Sequence, residues 1–160
     1  MIAARKEIFL LLVLILTYSF GISQYLSNPS FEGIPQPNIP PPGWQICNTA
    51  TSTPDVQPGN FGVYLPPSQG ETYLGMTTRL DFTWEDVHTS LLTPLSMDSC
   101  YIFKIDFAFQ QDVAGFIMQP IVLRIYGYNS VCDKNHLLWT SPAVSNTEWQ
   151  TYEFMIHPDE

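Results

Sequence analysis

Glu85, Asp86, Asp106 and Glu153 are the carboxylates with which this chain could attempt acid–base chemistry. A glycosidase needs two such groups facing each other across a cleft, and no spacing here singles out a pair. Nucleophilic, nucleotide and zinc-protease chemistries lack their usual sequence support, because Gly-x-Ser-x-Gly, the phosphate loop and His-Glu-x-x-His are all missing. His88 and His136 stand alone, without a partner motif that would make either a catalytic base. Cys47, Cys100 and Cys132 contain no CxxC pair, and neither His88, His136 nor His157 sits at a metal-ligand interval from a cysteine, so the spacing matches no zinc motif.

A second set of residues fits recognition better than catalysis. Stacking on a pyranose ring takes an aromatic platform, and its hydroxyls take planar polar partners. Lys104, Asp106, Arg124, Tyr126 and Tyr128 have that composition if they share one sheet face, and Trp84 with Glu85 precedes a neighbouring strand. The competing reading makes Arg124 and Asp106 a plain cross-strand ion pair and the tyrosines cross-strand packing. Trp44, Trp139 and Trp149 lie beside turn residues and read as core or loop anchors.

The elements that must position these groups are strands. From Glu71 onward, β-rich runs recur between turn signals at Thr72–Thr78, Val87–Leu95, Tyr101–Phe109, Ile121–Tyr128 and Gln150–Ile156, with no comparable helical period. Tyr101, Phe103, Ile105, Phe107 and Phe109 share one face of their strand, while Lys104 and Asp106 share the other. In Ile121–Tyr128 the same parity turns Leu123 and Ile125 inward and Arg124, Tyr126 and Tyr128 outward. Half-buried strands without helices between them predict an all-β fold, an antiparallel β-sandwich whose sheets cover each other's apolar faces. Residues 28–67 are punctuated by proline, glycine, asparagine and serine and read as loop, pinned to the core by Phe31, Trp44, Phe61 and Tyr64.

In an oxidising compartment two of the three cysteines pair. An antiparallel hairpin of Tyr101–Phe109 with Ile121–Tyr128 brings Cys100 and Cys132 to the same end, which makes them one expected pair. Cys47 with Cys132 is the other, because the long connection 110–120 leaves the register open.

Arg5 and Lys6, the apolar run Ile8–Leu16 and the small residues Gly21 and Ser23 predict a secretion signal over residues 1–23, cut before Gln24. The run is shorter than the roughly 20 residues that span a bilayer, so no membrane insertion is expected after cleavage. Residues 24–160 suit one domain. Without Arg5, Lys6 and Glu7 they hold four basic residues (Arg79, Lys104, Arg124, Lys134) against fourteen acidic ones. That balance excludes nucleic acid as an expected partner, for want of a basic patch to displace phosphate counterions.

Asn28-Pro-Ser-Phe-Glu-Gly33 followed by Pro42-Gly43-Trp44 resembles the opening of galactose-binding-like jelly rolls, the fold of many carbohydrate-binding modules. Gly43-Trp44-Gln-Ile-Cys47, Thr53-Pro-Asp55, Glu71–Gly75, Leu92–Leu95 running into Cys100-Tyr101, Cys132, Leu137-Leu-Trp-Thr-Ser-Pro142 and Trp149-Gln-Thr-Tyr152 extend the likeness over nearly all of residues 24–160. Together they resemble domains of secreted or surface proteins of Bacteroidota, often in chains tied to gliding motility or to that phylum's own secretion system. The resemblance implies a jelly roll and a structural calcium ion near the first strand, with Glu32 matching a carboxylate ligand. Such domains usually close with a further strand or two carrying an aspartate after the Tyr152-Glu-Phe154 strand. The sandwich is accordingly expected to lack its last strand or strands, with other domains of a longer chain as neighbours. The implied role is a non-catalytic, secreted or cell-surface module that binds a glycan or a surface protein. An assembly domain without a small ligand is the first alternative, and part of a secreted glycoside hydrolase is the second.

Overall fold

Side chains that alternate between apolar and polar call for extended backbone, and the computed structural model, which describes residues 25–127 and 130–158, is all-β. The expected secretion signal and Tyr128, one of the expected ligand contacts, lie outside the described residues. The strands are β1 (Asp55–Gln57), β2 (Tyr73–Gly75), β3 (Tyr101–Phe107), β4 (Asp112–Val113), β5 (Phe116–Ile117), β6 (Arg124–Gly127), β7 (His136–Thr140) and β8 (Gln150–Ile156). They form four antiparallel two-stranded sheets, β1 with β2, β3 with β8, β4 with β5, and β6 with β7. No helix among the described residues is long and apolar enough to cross a membrane.

The alternation of β3 does what its pattern predicts. Tyr101, Phe103, Ile105 and Phe107 are half-buried, whereas Ile102 and Lys104 face water. Its partner β8 supplies matching rings. Phe103 stacks on Phe154 at 5.7 Å between centroids, Phe107 packs against Tyr152 at 5.3 Å, and Trp139 from β7 stacks on Phe154 at 4.6 Å. Each such aromatic pair adds about 0.5–1.5 kcal/mol beyond its buried area. Trp139 thereby ties the β6–β7 sheet to the β3–β8 sheet, in the anchoring role its sequence neighbours indicate.

Several expectations need correction. Tyr101–Phe109 and Ile121–Tyr128 do not form a hairpin: β3 pairs with β8 along its whole length, and β6 pairs with β7. The long 110–120 connection is instead spent on its own β4–β5 hairpin, closed by Ala114 and Gly115, both at positive φ, with the Gly115 N–H donating to Asp112 Oδ1 at 2.9 Å. The expected strand Val87–Leu95 reduces to one bridge, His88 to Gln45. A bulge between Ile125 and Tyr126 breaks the parity of β6. Arg124 stays exposed, but Tyr126 is half-buried rather than outward, because a bulge re-aims the side chains beyond it.

The proline-rich segment also departs from a plain loop. β1 arises inside it, and Val56 exchanges backbone hydrogen bonds with Gln36 in both directions at 3.0 Å while pairing with Leu74 on its other side. Val56, Pro41, Pro54 and Ser52 are the most completely buried side chains described. Gly33 packs under this cluster so closely that a Cβ there would meet Pro42 Cδ at 3.2 Å and Val56 Cγ1 at 3.4 Å. Of the expected anchoring aromatics, Trp44 lies 4.7 Å from Phe31 and donates its Nε1–H to the Asn28 carbonyl at 2.9 Å, whereas Phe61 and Tyr64 are exposed and do not pin the segment. Trp149 acts as Trp44 does, donating to the Pro66 carbonyl at 2.7 Å and meeting Tyr73 edge-on.

The disulfide is Cys47–Cys132, closing a separation of 85 residues, and Cys100 is free and exposed. The Cys100–Cys132 pairing is therefore overturned, together with the hairpin on which it depended.

Candidate binding site

Residues 78–84 alternate in the sense opposite to a buried strand. Thr78 and Trp84 form a bridge, the Arg79 N–H donates to the Thr83 carbonyl at 2.9 Å, and the Phe82 N–H donates to the Arg79 carbonyl at 3.1 Å. Asp81 Oδ1 accepts from both the N–H and the hydroxyl of Thr83, at 3.0 and 2.7 Å. The three-residue tip is completed by Phe82 at φ 63°, a left-handed conformation that suits glycine better than an aromatic residue. Arg79 and Thr83 of this hairpin are half-buried, whereas its apolar side chains point outward. Leu80 is 97% exposed, Phe82 88% and Trp84 57%.

A charge pair whose carboxylate is buried holds it in that pose. Arg79 Nη2 meets Glu85 Oε1 at 2.5 Å, with side-chain exposures of 34% and 2%. The same guanidinium donates to the Thr51 carbonyl at 2.8 Å and to Thr53 Oγ1 at 2.9 Å. Glu85 also accepts from the Thr53 hydroxyl at 3.0 Å and from the Thr77 N–H at 2.9 Å. Every oxygen of the buried carboxylate is thus satisfied, the condition under which a buried charge is tolerated. Lys134 sits over the Trp84 ring at 5.7 Å and pairs with Asp86 Oδ2 at 2.7 Å. Burial alone would raise the Asp86 carboxyl. The hydrogen bond and charge of Lys134, with the N–H groups of Cys47 and Asn48, outweigh burial and hold it below its ordinary 3.8.

The expected contact residues do not form one surface. Trp84 stays available on the hairpin, but Glu85 is buried behind it as the partner of Arg79, because an arginine six residues earlier folds back onto it. Lys104 and Asp106 lie on β3, in the β3–β8 sheet. Lys104 pairs with Glu153 at 3.1 Å. Asp106 accepts from the Ser68 and Thr151 hydroxyls, and these hydrogen bonds hold its carboxyl below the usual carboxylate value. Arg124 and Tyr126 belong to the separate β6–β7 sheet, so the cross-strand pairing of Arg124 with Asp106 does not arise. All four carboxylates with catalytic potential, Glu85, Asp86, Asp106 and Glu153, are engaged by a cation or by hydroxyls. Leu80, Phe82 and Lys134 carry no motif. The signal that could have found the first two is the run Leu80-Asp-Phe-Thr-Trp84, whose period of two follows an arginine that needs a buried partner.

Glu32 clamps a loop. Its two carboxylate oxygens share the Glu71 N–H at 3.2 Å, and its Oε2 accepts the Thr72 hydroxyl at 3.3 Å. Gly70 lies so close that a Cβ on it would collide with the carboxylate. Calcium demands six to eight oxygen ligands. Here an N–H and a hydroxyl proton face the carboxylate, and no group of three or more carboxylates, histidines or cysteines gathers around Glu32 among the described residues. Glu32→Ala is expected to cost about 1–2 kcal/mol in urea unfolding through loss of these charge-assisted hydrogen bonds. A rise of the unfolding midpoint in millimolar calcium that Glu32→Ala abolishes would place the implied ion at this carboxylate, and an unchanged midpoint would leave Glu32 as a loop clamp alone.

The one cluster of potential metal ligands among the described residues is Cys47, His88 and Cys132, whose donor atoms all lie within 4.8 Å of one another. Comparison with protein-family models, curated proteins and solved structures finds no match to this chain.

Proposed function

We propose that this chain is a non-catalytic, exported module that binds a surface component through the 78–84 hairpin, and that its small antiparallel sheets belong to a jelly-roll sandwich. The observation that carries this reading is the inverted hairpin. A frame tied by the arginine's bonds to a buried glutamate holds Leu80, Phe82 and Trp84 in water, and large apolar groups exposed on a fixed frame mark contact sites. A glycan is the favoured ligand. Trp84 supplies a ring face, and Lys134 and Asp86 beside it supply polar partners for hydroxyls. The engagement of all four candidate carboxylates supports a role without catalysis.

A second reading, docking of another protein during surface assembly, is favoured by Leu80, an aliphatic group that cannot stack on a sugar. The exposed cross-strand pair Ile102 and Met155 on β3 and β8 points the same way. A glycan array separates the two. Specific hits that disappear with Trp84→Ala support sugar recognition, and a blank array favours assembly. Phe82→Gly should weaken binding while changing stability by no more than about 1 kcal/mol, since glycine relieves the left-handed backbone and little buried surface is lost. Tyr126→Ala, on another sheet, should leave array binding intact. Turnover of a polysaccharide by the purified chain would overturn the non-catalytic reading.

A further inference from the structure

Two opposed extended segments bring Cys47 and His88 together. Gln45 and His88 exchange backbone hydrogen bonds at 2.9 and 2.7 Å, and in that antiparallel register Cys47 falls opposite Asp86, whose Oδ1 accepts the Cys47 N–H at 3.3 Å. Positions 47 and 88 are then diagonal neighbours on one face, within reach of each other's side chains. Asp86 is itself locked in place, its backbone exchanging hydrogen bonds with the buried Ser52 hydroxyl at 2.8 and 2.9 Å. Cys132 arrives from a turn, with φ 66°, and Lys134 two residues later anchors that turn to Asp86. One carboxylate therefore braces both cysteine-bearing segments.

We propose that Cys47, His88 and Cys132 form a Cys2His zinc site when the disulfide is reduced, so that the same two sulfurs serve as a covalent cross-link in one redox state and as metal ligands in the other. The donor atoms already lie within 4.8 Å of one another, and the two Cα atoms are 5.6 Å apart. Two thiolates and one imidazole are the soft and borderline donors that zinc takes in preference to calcium or magnesium, usually in tetrahedral geometry. A dithiol reductant supplies two electrons and two protons, closing to its own disulfide as the Cys47–Cys132 bond breaks to two thiols. Zinc binding then releases both thiol protons to solvent and forms two Zn–S bonds and one Zn–N bond, the two thiolate charges cancelling those of the ion. The fourth position is left for water. A cavity of about 280 Å³ lined by His88, Gln45, Thr89 and Val131 opens beside the cluster and gives water that access.

The test uses the full chain carrying Cys100→Ser, which removes the third thiol, reduced with a phosphine under anaerobic conditions and titrated with Co²⁺ and then Zn²⁺. The expected result is one Co²⁺ per reduced chain, with thiolate-to-cobalt absorption in the near ultraviolet and tetrahedral bands in the visible, all displaced by zinc. The oxidised chain should show none of them. His88→Ala should weaken cobalt binding by at least roughly tenfold, since loss even of a group that merely orients a ligand costs 10–100-fold, and should alter the visible bands. Near-ultraviolet circular dichroism reports on folding independently. If reduction loosens the chain, cobalt or zinc should restore its spectrum. The proposal is overturned if the reduced chain shows no stoichiometric cobalt band, if His88→Ala leaves affinity and spectrum unchanged, or if the reduced chain unfolds and metal does not restore it. The hairpin-binding reading stands or falls separately, on the array.

Discussion

Replacing Cys47 and Cys132 together by serine lowers the unfolding free energy by about 4–5 kcal/mol, the chain-entropy value for a loop of this size. The bridge spans 85 residues, more than half of the chain, and the loop it closes contains β1 to β6. The described apolar core is small, with Val56, Val63, Val144, Phe154 and Ile156 as its buried hydrophobic members. A domain so supported lies near the lower end of the usual 5–15 kcal/mol, so the expected loss is comparable with its entire stability. Urea unfolding followed by tryptophan fluorescence measures it, with Cys100→Ser as a control that should change little because that residue is free and exposed. A loss below about 1 kcal/mol would mean that residues 47–132 are organised without the bridge. The zinc proposal adds a link to this number: metal on the reduced wild-type sulfurs should recover part of the stability that the serine pair cannot.

Arg79→Met is expected to cost about 3 kcal/mol, the lower part of the range for breaking a buried pair, because a third of the arginine side chain remains in water. Most of that cost is not the lost attraction. It is the carboxylate of Glu85, left 2% exposed with only the Thr53 hydroxyl and the Thr77 N–H to replace a cation. The double variant Arg79→Met with Glu85→Leu should accordingly be more stable than Arg79→Met alone, and the double-mutant cycle should show a coupling above about 1 kcal/mol. Additive single effects would show that water reaches Glu85 and that the hairpin is not held by this pair. Both single variants should also weaken surface binding, since they release the frame that presents Phe82 and Trp84.

Extended backbone and the inward face of Tyr101–Phe107 were legible in the amino-acid order because period-two alternation is a local property: each residue's face follows from its neighbours alone. The span of β8, Gln150–Ile156, was legible for the same reason. Partner choice was not. β3 could have paired with any strand of matching parity, and the Phe103–Phe154–Trp139 stack, drawn from three strands, favours β8 over β6, the partner expected from the sequence. The disulfide followed from that choice, since a bridge forms only where the Cα atoms come within several ångströms of each other. The expected contact set was split likewise: strand pairing distributed its described members over two sheets and one hairpin.

The sequence by itself determined an all-β chain of strong acidity, the inward face of its longest aromatic strand, and the anchoring of Trp44, Trp139 and Trp149. Only the tertiary structure decided that Glu85 is buried, that Leu80, Phe82 and Trp84 face water, and that Cys47, His88 and Cys132 meet. The physical reason is that burial of a charge and convergence of ligands depend on groups far apart along the chain, such as Thr53 beside Glu85 and Cys132 beside His88. No local pattern of side chains encodes those distances.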